Sequence, residues 1–363
     1  MGGGDDKDVC VLLQIAQDTQ PYVVQLRKTF PDVTFIYYDR PAVASFKDLP
    51  RDAAKLVPKD VWKKTKYLIT LANFPDSLDL VPNLKWIHLS SAGSNQIQNH
   101  PVYTDTKDII ITNSSGIHGP QIAEWTIMNM LIARHKYNQT YEWQKQHLWG
   151  PSANLSPVID HVGQRIAARV CSAMGMTVLA YTASPRPTAS SRHDNGFIVP
   201  STGDPDGTIP SAWYSGTSTT ALHTFLSQSL SYLLISVPLT ASTRHLISTP
   251  ELAILRRSGT YIINIARGPI LDTDALISTL NSGPDPSTGN SLVGAALDVT
   301  DPEPLPKDHP LWETRDVIIS PHVSGLATNY MERSLKVWEG NLTRLLEKGE
   351  KGMWNVVDRE KGY

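Results

Sequence analysis

The chain has 363 residues, which at roughly 150 residues per domain points to two domains, each able to enclose a core. Hydrophobic residues make up 40% and charged residues 19%, which excludes the composition of a disordered chain. Lys+Arg 33 against Asp+Glu 35 leaves a net charge of -2 with no basic stripe, which argues against nucleic acid as a partner. From the start of the chain, short apolar runs at 8–16, 34–38, 67–72, 85–89 and 109–112 read as buried strands, with helical patterns such as 21–30 between them. Such alternation is the signature of a parallel sheet. A longer helix is predicted over 119–136, apolar nearly all round through Ile122, Trp125, Ile127, Met128, Met130, Leu131 and Ile132, so it must be buried on several sides.

After a polar segment at 137–160 comes a second alternating series, with a helix predicted over 164–176 and strands at 177–181, 232–237, 261–265, 294–299 and 317–320. The stretches 199–219 and 281–291, rich in Gly, Pro, Ser and Thr, read as surface excursions. The last helix, predicted over 328–348, carries Met331, Leu335, Trp338, Leu342 and Leu345 on one face, which must dock.

Three strands of the second series run into ionisable residues at their carboxyl ends: Arg267, then Asp298 and Glu303, then His322. Ligands of open α/β sheets bind outside those ends, so a cation, carboxylates and an imidazole converge on one crevice. Each has a plainer reading taken singly. Arg267 before Gly268 suits a salt-bridged turn, Asp272 a helix cap, Glu303 between prolines a loop charge, and His322 after Pro321 a satisfied core imidazole. Taken together, a carboxylate on one ring nitrogen fixes the tautomer and raises the basicity of the imidazole, leaving the other nitrogen to exchange a proton. The guanidinium fork of Arg267 suits a carboxylate.

The runs Asn264-Ile265-Ala266-Arg267-Gly268, Gly294-Ala295-Ala296-Leu297-Asp298-Val299 leading to Pro302-Glu303-Pro304, and Ser320-Pro321-His322-Val323-Ser324-Gly325 resemble the signature blocks of the D-isomer-specific 2-hydroxyacid dehydrogenases. So do Val237-Pro238-Leu239-Thr240 with Thr243, and Ser91-Ala92-Gly93. The resemblance implies an α/β protein of two doubly wound domains. A flavodoxin-like substrate domain would take 1–118 and 328–363, and a Rossmann cofactor domain would take 119–327. It implies an NAD(P)-dependent oxidoreductase interconverting a small 2-oxo acid and its D-2-hydroxy acid, working as a homodimer through the 119–136 helix and the aromatic segment after it. His322 would be the acid/base, Glu303 its orienting carboxylate, and Arg267 the clamp on the substrate carboxylate. Backbone groups at Ala92 and Gly93 would hold that carboxylate from the other domain. Pro238, Thr243, Ala266 and Asp298 would line the cofactor, Asp298 on its nicotinamide side.

One departure stands out. A dinucleotide fold opens with a strand running into G-x-G-x-x-G at a helix start, where glycines admit the pyrophosphate. Ahead of the strand at 177 there is only Val162-Gly163-Gln164-Arg165 followed at once by Ile166-Ala167-Ala168-Arg169, so roughly a dozen residues of strand and loop are missing from the pattern. Either 155–162 is drawn in as a surrogate strand or the sheet is damaged. The acidic ribose ligand is also missing after 181. Ser184 and Arg186 stand there and suit a 2′-phosphate, favouring NADP over NAD, with Arg186 as a plain loop cation the competing reading. The alternatives to an active enzyme are a catalytically impaired binding or interaction protein of the same fold, and a gene model that has lost an exon boundary.

Other classes lack an anchor. No apolar run approaches the roughly 20 residues of a membrane span. The start, Met1-Gly2-Gly3-Gly4-Asp5-Asp6, fits neither a secretory leader nor a myristoylation pattern. Two cysteines, Cys10 and Cys171, build neither a disulfide framework nor a metal cluster, so no metal and a reducing cytoplasmic compartment are expected.

Overall fold

Apolar runs of four to six residues are too brief for stable helices and long enough for strands buried on both faces, and in both halves of the chain they form parallel sheets. The structure, a computed structural model, describes residues 7–13, 20–38, 53–151, 155, 160–166 and 169–362. The chain divides into two units. The first is Met1–His118 with Asn195–Pro200 and Ala327–Tyr363; the second is Gly119–Asp194 with Ser201–Leu326. The assignment of 195–200 to the first unit departs from the predicted boundaries. Its cause is local: Phe197 packs against Ile117, Tyr330, Met331 and Val337 and meets the Trp354 ring edge-on at 5.8 Å.

In the first unit the elements are β1 (Asp8–Leu13), α1 (Gln20–Thr29), β2 (Val33–Tyr38), α2 (Lys59–Lys64), β3 (Thr65–Thr70), β4 (Trp86–Leu89), α3 (Pro101–Thr104) and β5 (Ile110–Asn113). The strands pair parallel in the order β2-β1-β3-β4-β5, the flavodoxin-like doubly wound arrangement. The C-terminal helix, Tyr330–Lys348, docks on one face of this sheet. Trp338 is fully buried there, stacked on Trp86 at 5.4 Å and edge-on to Phe35 and Tyr67, while Leu335 and Leu342 flank it. The same helix is tied at its polar side. Its Ser334 shares a hydrogen bond with Ser114 at 2.8 Å, and Ser114 meets His88 Nε2 at 3.1 Å. Burial pushes the His88 imidazole down to about 3, so it is a neutral partner in that network.

The second unit continues with α4 (Gly119–Arg134), α5 (Tyr137–Lys145), β6 (Arg165–Ile166), α6 (Arg169–Ala173), β7 (Thr177–Thr182), α7 (Ala189–Arg192), β8 (Ala212–Ser215), α8 (Thr219–Leu226), β9 (Tyr232–Ile235), α9 (Thr249–Ser258), β10 (Tyr261–Asn264), α10 (Thr273–Asn281), β11 (Gly294–Leu297) and β12 (Val317–Ile319); the C-terminal helix is then α11. Side chains alternate across the sheet with a period of two. Ile262 and Ala295 face the core under α8, α9 and α10, with Leu226, Leu252 and Leu276. Tyr261, Ile263 and Ala296 face the other side, with Trp125 and Met130 of α4. That is the doubly wound pattern, helices on both faces.

Three predicted elements change. The polar segment after α4 contains helix α5. The excursion at 199–219 contains edge strand β8, whose Ala-Trp-Tyr-Ser sequence is only partly buried and so lacks the apolar run of a central strand. The helix predicted over 164–176 shrinks to α6, because Arg165 and Ile166 pair instead with Thr177 and Val178 of β7. The two residues of β6 thus lie beside β7, and of the surrogate strand expected at 155–162, residues 156–159 lie outside the described residues. Among the described residues no backbone ladder joins β6 to β9, and the sheet is divided into β12-β11-β10-β9 and β6-β7-β8. Arg165 reaches across to the β9 side only through its amide to Ser231 Oγ at 3.3 Å and its guanidinium to the Gln228 carbonyl. Among the described residues no helix is long and apolar enough to cross a membrane, and no cluster of metal-ligating side chains occurs.

Candidate active site

Strand register places the site. Ile235 lies opposite Asn264, Asn264 opposite Leu297, and Leu297 opposite Ile319, so β9, β10, β11 and β12 all end at one level. The turns that leave this edge carry Pro238, Arg267, Asp298 and His322.

The turn after β10 is held by the side chain of buried Asn264. Its Oδ1 accepts from the Ala266 amide at 3.1 Å and its Nδ2 donates to the Arg267 carbonyl at 3.0 Å. Gly268 is obligatory here, since a Cβ would stand 1.9 Å from the Thr300 carbonyl oxygen. That close approach brings the Arg267 turn against the chain leading from Asp298 to Glu303. The Arg267 guanidinium donates to the Ala266 carbonyl at 2.6 Å through one nitrogen, which aims the half-buried fork.

Asp298 is almost wholly buried, and both carboxylate oxygens are engaged. Oδ1 accepts from Ser320 Oγ at 2.6 Å and the Val323 amide at 2.8 Å; Oδ2 accepts from the Ser324 amide at 2.9 Å and from Ser324 Oγ. Four donors offset the cost of burying this charge. Segment 320–324 is in effect wrapped around Asp298, whose own carbonyl accepts from the His322 amide at 2.9 Å. At the crest of that loop His322 adopts a left-handed backbone with φ 58°, a strained setting for a non-glycine residue that the surrounding hydrogen bonds enforce. Its Nδ1 meets Glu303 Oε1 at 3.0 Å, both side chains remaining partly open to solvent. With Nδ1 on Glu303, Nε2 is the ring nitrogen chemically able to exchange a proton.

The structure thus brings Arg267, Asp298, Glu303 and His322 to one edge of one sheet. The remaining predicted residues are more dispersed. Thr243 Oγ1 donates to the Pro238 carbonyl and accepts from the Thr240 amide, both at 2.7 Å, staking the turn after β9. Ser184 is exposed after β7, while the Arg186 guanidinium donates to the Ser191 carbonyl at 3.0 Å and Arg192 Nε to the Arg186 carbonyl at 2.9 Å. Asp272 caps α10, accepting from the Ala275 amide at 3.0 Å, as its plain reading has it. Ala92 and Gly93 sit in the first unit, on the loop after β4. The sequence reading gave no role to Asn264, Ser320 or Ser324; the signal was a polar residue closing an apolar strand and serines flanking Pro321-His322-Val323.

Residues 204–324, which contain Arg267, Asp298, Glu303 and His322, match the family described as D-isomer specific 2-hydroxyacid dehydrogenase, NAD binding domain. The chain is 28% identical over 312 residues to a glyoxylate reductase of Thermofilum pendens, covering 84% of each. The family match identifies residues 204–324 as similar to a D-isomer specific 2-hydroxyacid dehydrogenase NAD binding domain. The chain is also 36% identical over 147 residues to a glyoxylate/hydroxypyruvate reductase A of Citrobacter koseri, covering 39% of this chain and 41% of that one. Its fold is similar to that of an NADPH-dependent glyoxylate/hydroxypyruvate reductase of Sinorhizobium meliloti, solved with NADP and sulfate, at 21% identity and a TM-score of 0.65, covering 98% of this chain and all of that one. It is an enzyme of the NAD(P)-dependent 2-hydroxyacid dehydrogenase type.

The fit of a dinucleotide to this dehydrogenase is divided. The turns after β7 and β9–β11 offer residues suited to its two ends. For its pyrophosphate, β6 has two residues, the sequence that follows it, Ala167-Ala168, has no glycine, and α6 has five residues, so the described residues show no glycine-bearing turn at that helix start.

The wrapped loop makes a measurable demand on Asp298. In Asp298→Asn an amide nitrogen faces backbone and hydroxyl donors, and buried groups lose their acceptor. Stability is expected to fall by about 2 to 4 kcal/mol in a denaturant titration, with kcat falling alongside. A variant as stable as the parent that lost only NADPH affinity would instead make Asp298 a direct cofactor contact.

Proposed function

We propose that this chain reduces a small 2-oxo acid of the glyoxylate or hydroxypyruvate class to its D-2-hydroxy acid, with NADPH preferred over NADH. The observation that carries the reading is the Glu303–His322 pair, held at 3.0 Å beside the Arg267 turn by the loop around Asp298. The names of the relatives support the substrate class. Ser184 and Arg186 support the 2′-phosphate, as does the NADP of the Sinorhizobium meliloti structure.

In this reading the chain's own groups have separate tasks. Arg267 holds the substrate carboxylate and polarises the neighbouring carbonyl. The imidazolium of His322 gives the proton on Nε2 to the 2-oxo oxygen, and Glu303 at Nδ1 stabilises the charge and fixes the ring. Backbone groups at Ala92 and Gly93 take part in holding the carboxylate. A reduced nicotinamide, when bound, supplies the hydride. The test is oxidation of NADPH and NADH with glyoxylate, hydroxypyruvate and pyruvate, followed by chiral analysis of the glycerate formed from hydroxypyruvate. Release of L-glycerate, or no turnover with any 2-oxo acid at saturating NADPH, would sink the reading.

The same reading includes a homodimer in the cytoplasm. Met128 and Leu131 of α4 and Tyr137 and Tyr141 of α5 are exposed, and Trp149 is 99% exposed. Apolar groups so placed on adjacent helices form the core of a two-fold contact. Sedimentation at micromolar concentration is expected to give twice the chain mass, and Trp149→Glu with Tyr141→Glu to give the monomer mass; a monomeric parent would refute it. Cys10 and Cys171 are free and buried, in keeping with a reducing compartment.

A further inference from the structure

The loop after β4 is held by its own polar side chains. Ser91 Oγ donates to the Gly93 carbonyl at 2.7 Å, and Gln96 Nε2 donates to Ser91 Oγ at 2.7 Å and to the Leu71 carbonyl at 2.9 Å. What closes the far end of this loop comes from a distant part of the sequence. The segment after α11 runs back along edge strand β5. The Asn355 carbonyl accepts from the Asn113 amide at 3.1 Å, Val356 bridges Thr112 antiparallel, and the Val357 amide donates to the Ile111 carbonyl at 2.8 Å. Arg359 then anchors the segment, its guanidinium 4.9 Å over the Tyr103 ring and bonded to the carbonyls of Tyr103 and Ile109. Asp358 caps a tight turn, accepting from the Glu360 and Lys361 amides and, through its carbonyl, from the Gly362 amide at 2.8 Å.

That turn delivers one group to the loop. The Gly362 carbonyl accepts from Ser94 Oγ at 3.0 Å and from Gln98 Nε2 at 2.7 Å. Ser94 is buried, so its hydroxyl would be an unsatisfied donor without this carbonyl. Gly362 has φ 80°, and a Cβ there would stand 3.3 Å from Gln98 Nε2, so glycine is the residue that fits.

We propose that 353–362 is a strap that sets the shape of the 91–98 loop, and that Ser94 and Gln98, by holding the Gly362 carbonyl, are positioning residues for the substrate carboxylate. The second half rests on the proposed function, in which Ala92 and Gly93 bind that carboxylate. The strap bears on the loop proposed to bind the oxo acid, so its effect falls on binding and not on the chemical step.

The test pairs two readouts in the full chain with Ser94→Ala/Gln98→Leu, and separately with Gly362→Ala. Amide hydrogen exchange across 91–98 is measured without any ligand and is expected to quicken at least about tenfold, the weight of one to two hydrogen bonds. KM for glyoxylate is expected to rise about tenfold by the same arithmetic, with kcat within about twofold and NADPH affinity unchanged. Ser94→Thr, which keeps the hydroxyl, is expected to restore both. Unchanged exchange in both variants overturns the strap. Faster exchange with an unchanged KM overturns the positioning role and leaves the proposed function standing. A parent without 2-oxo acid reductase activity overturns the proposed function, and with it the positioning role, while the exchange data still decide the strap.

Discussion

Replacing His322 by alanine is expected to lower turnover by about 10² to 10⁴, the usual weight of a positioned acid/base, while leaving NADPH affinity within about twofold. The imidazole stands on the loop after β12 with Nδ1 tied to Glu303 at 3.0 Å, and nothing in this geometry gives it a share in holding the nucleotide. The backbone complicates the choice of variant. At φ 58° any residue with a Cβ is strained, and alanine lacks the bond to Glu303 that helps to enforce that backbone, which could displace the loop and mimic a chemical effect. His322→Asn removes the acid/base but tolerates that conformation, so the two variants should be equally inactive and should differ in melting temperature. Glu303→Gln is expected to be milder, a loss of about tenfold in kcat, since an amide can still orient the ring but cannot stabilise its charge. Turnover retained in both His322 variants would remove the assignment.

The reach of sequence reasoning follows burial. Strands β1, β3, β10 and β11 are apolar on both faces, so their sequences can scarcely read as anything but central strands, and the residue at which each apolar run stops marks its carboxyl edge. That is why Arg267, Asp298 and His322 were legible as one group before any geometry was known. Edge strand β8 was hidden because half-burial permits Trp213, Tyr214 and Ser215 in a polar neighbourhood. The loop contacts of Asp298 were hidden for a different reason. A carboxylate at a strand end reads alike whether it faces a ligand or a loop, and only the positions of Ser320, Val323 and Ser324 show its oxygens engaged within the chain. At 164–176 a helical period was present, but two of its residues are captured by β7, whose exposed backbone groups demand a partner more strongly than helix propensity resists.

That capture bears on the cofactor. The chain is expected to bind NADPH at least about a hundredfold more weakly than a version carrying a glycine-loop strand between Arg165 and Ile166. In the doubly wound fold the first strand runs into a helix start where backbone amides approach the pyrophosphate, and contacts of this kind are worth about 0.3 to 1 kcal/mol each even when exposed. Here β6 is two residues long and the sequence that follows it, Ala167-Ala168, has no glycine, from which we infer that several such contacts are lost together with the strand that would aim them. A loss of a few kcal/mol corresponds to a hundredfold or more in affinity. The cofactor contacts proposed at Ser184 and Arg186 for one end, and at Pro238, Thr243 and Ala266 for the other, lie outside this shortening, so discrimination between NADPH and NADH should survive while affinity does not. The inserted strand should also bridge β7 and β9 and raise the melting temperature, because it supplies a ladder to backbone groups on both sides. Titration of NADPH and NADH into both proteins, with glyoxylate reduction measured in each, decides the matter. If the unmodified chain binds NADPH at micromolar concentration and turns over as fast as the version with the loop, Arg165 and Ile166 are an adequate first strand and the cradle is dispensable in this enzyme.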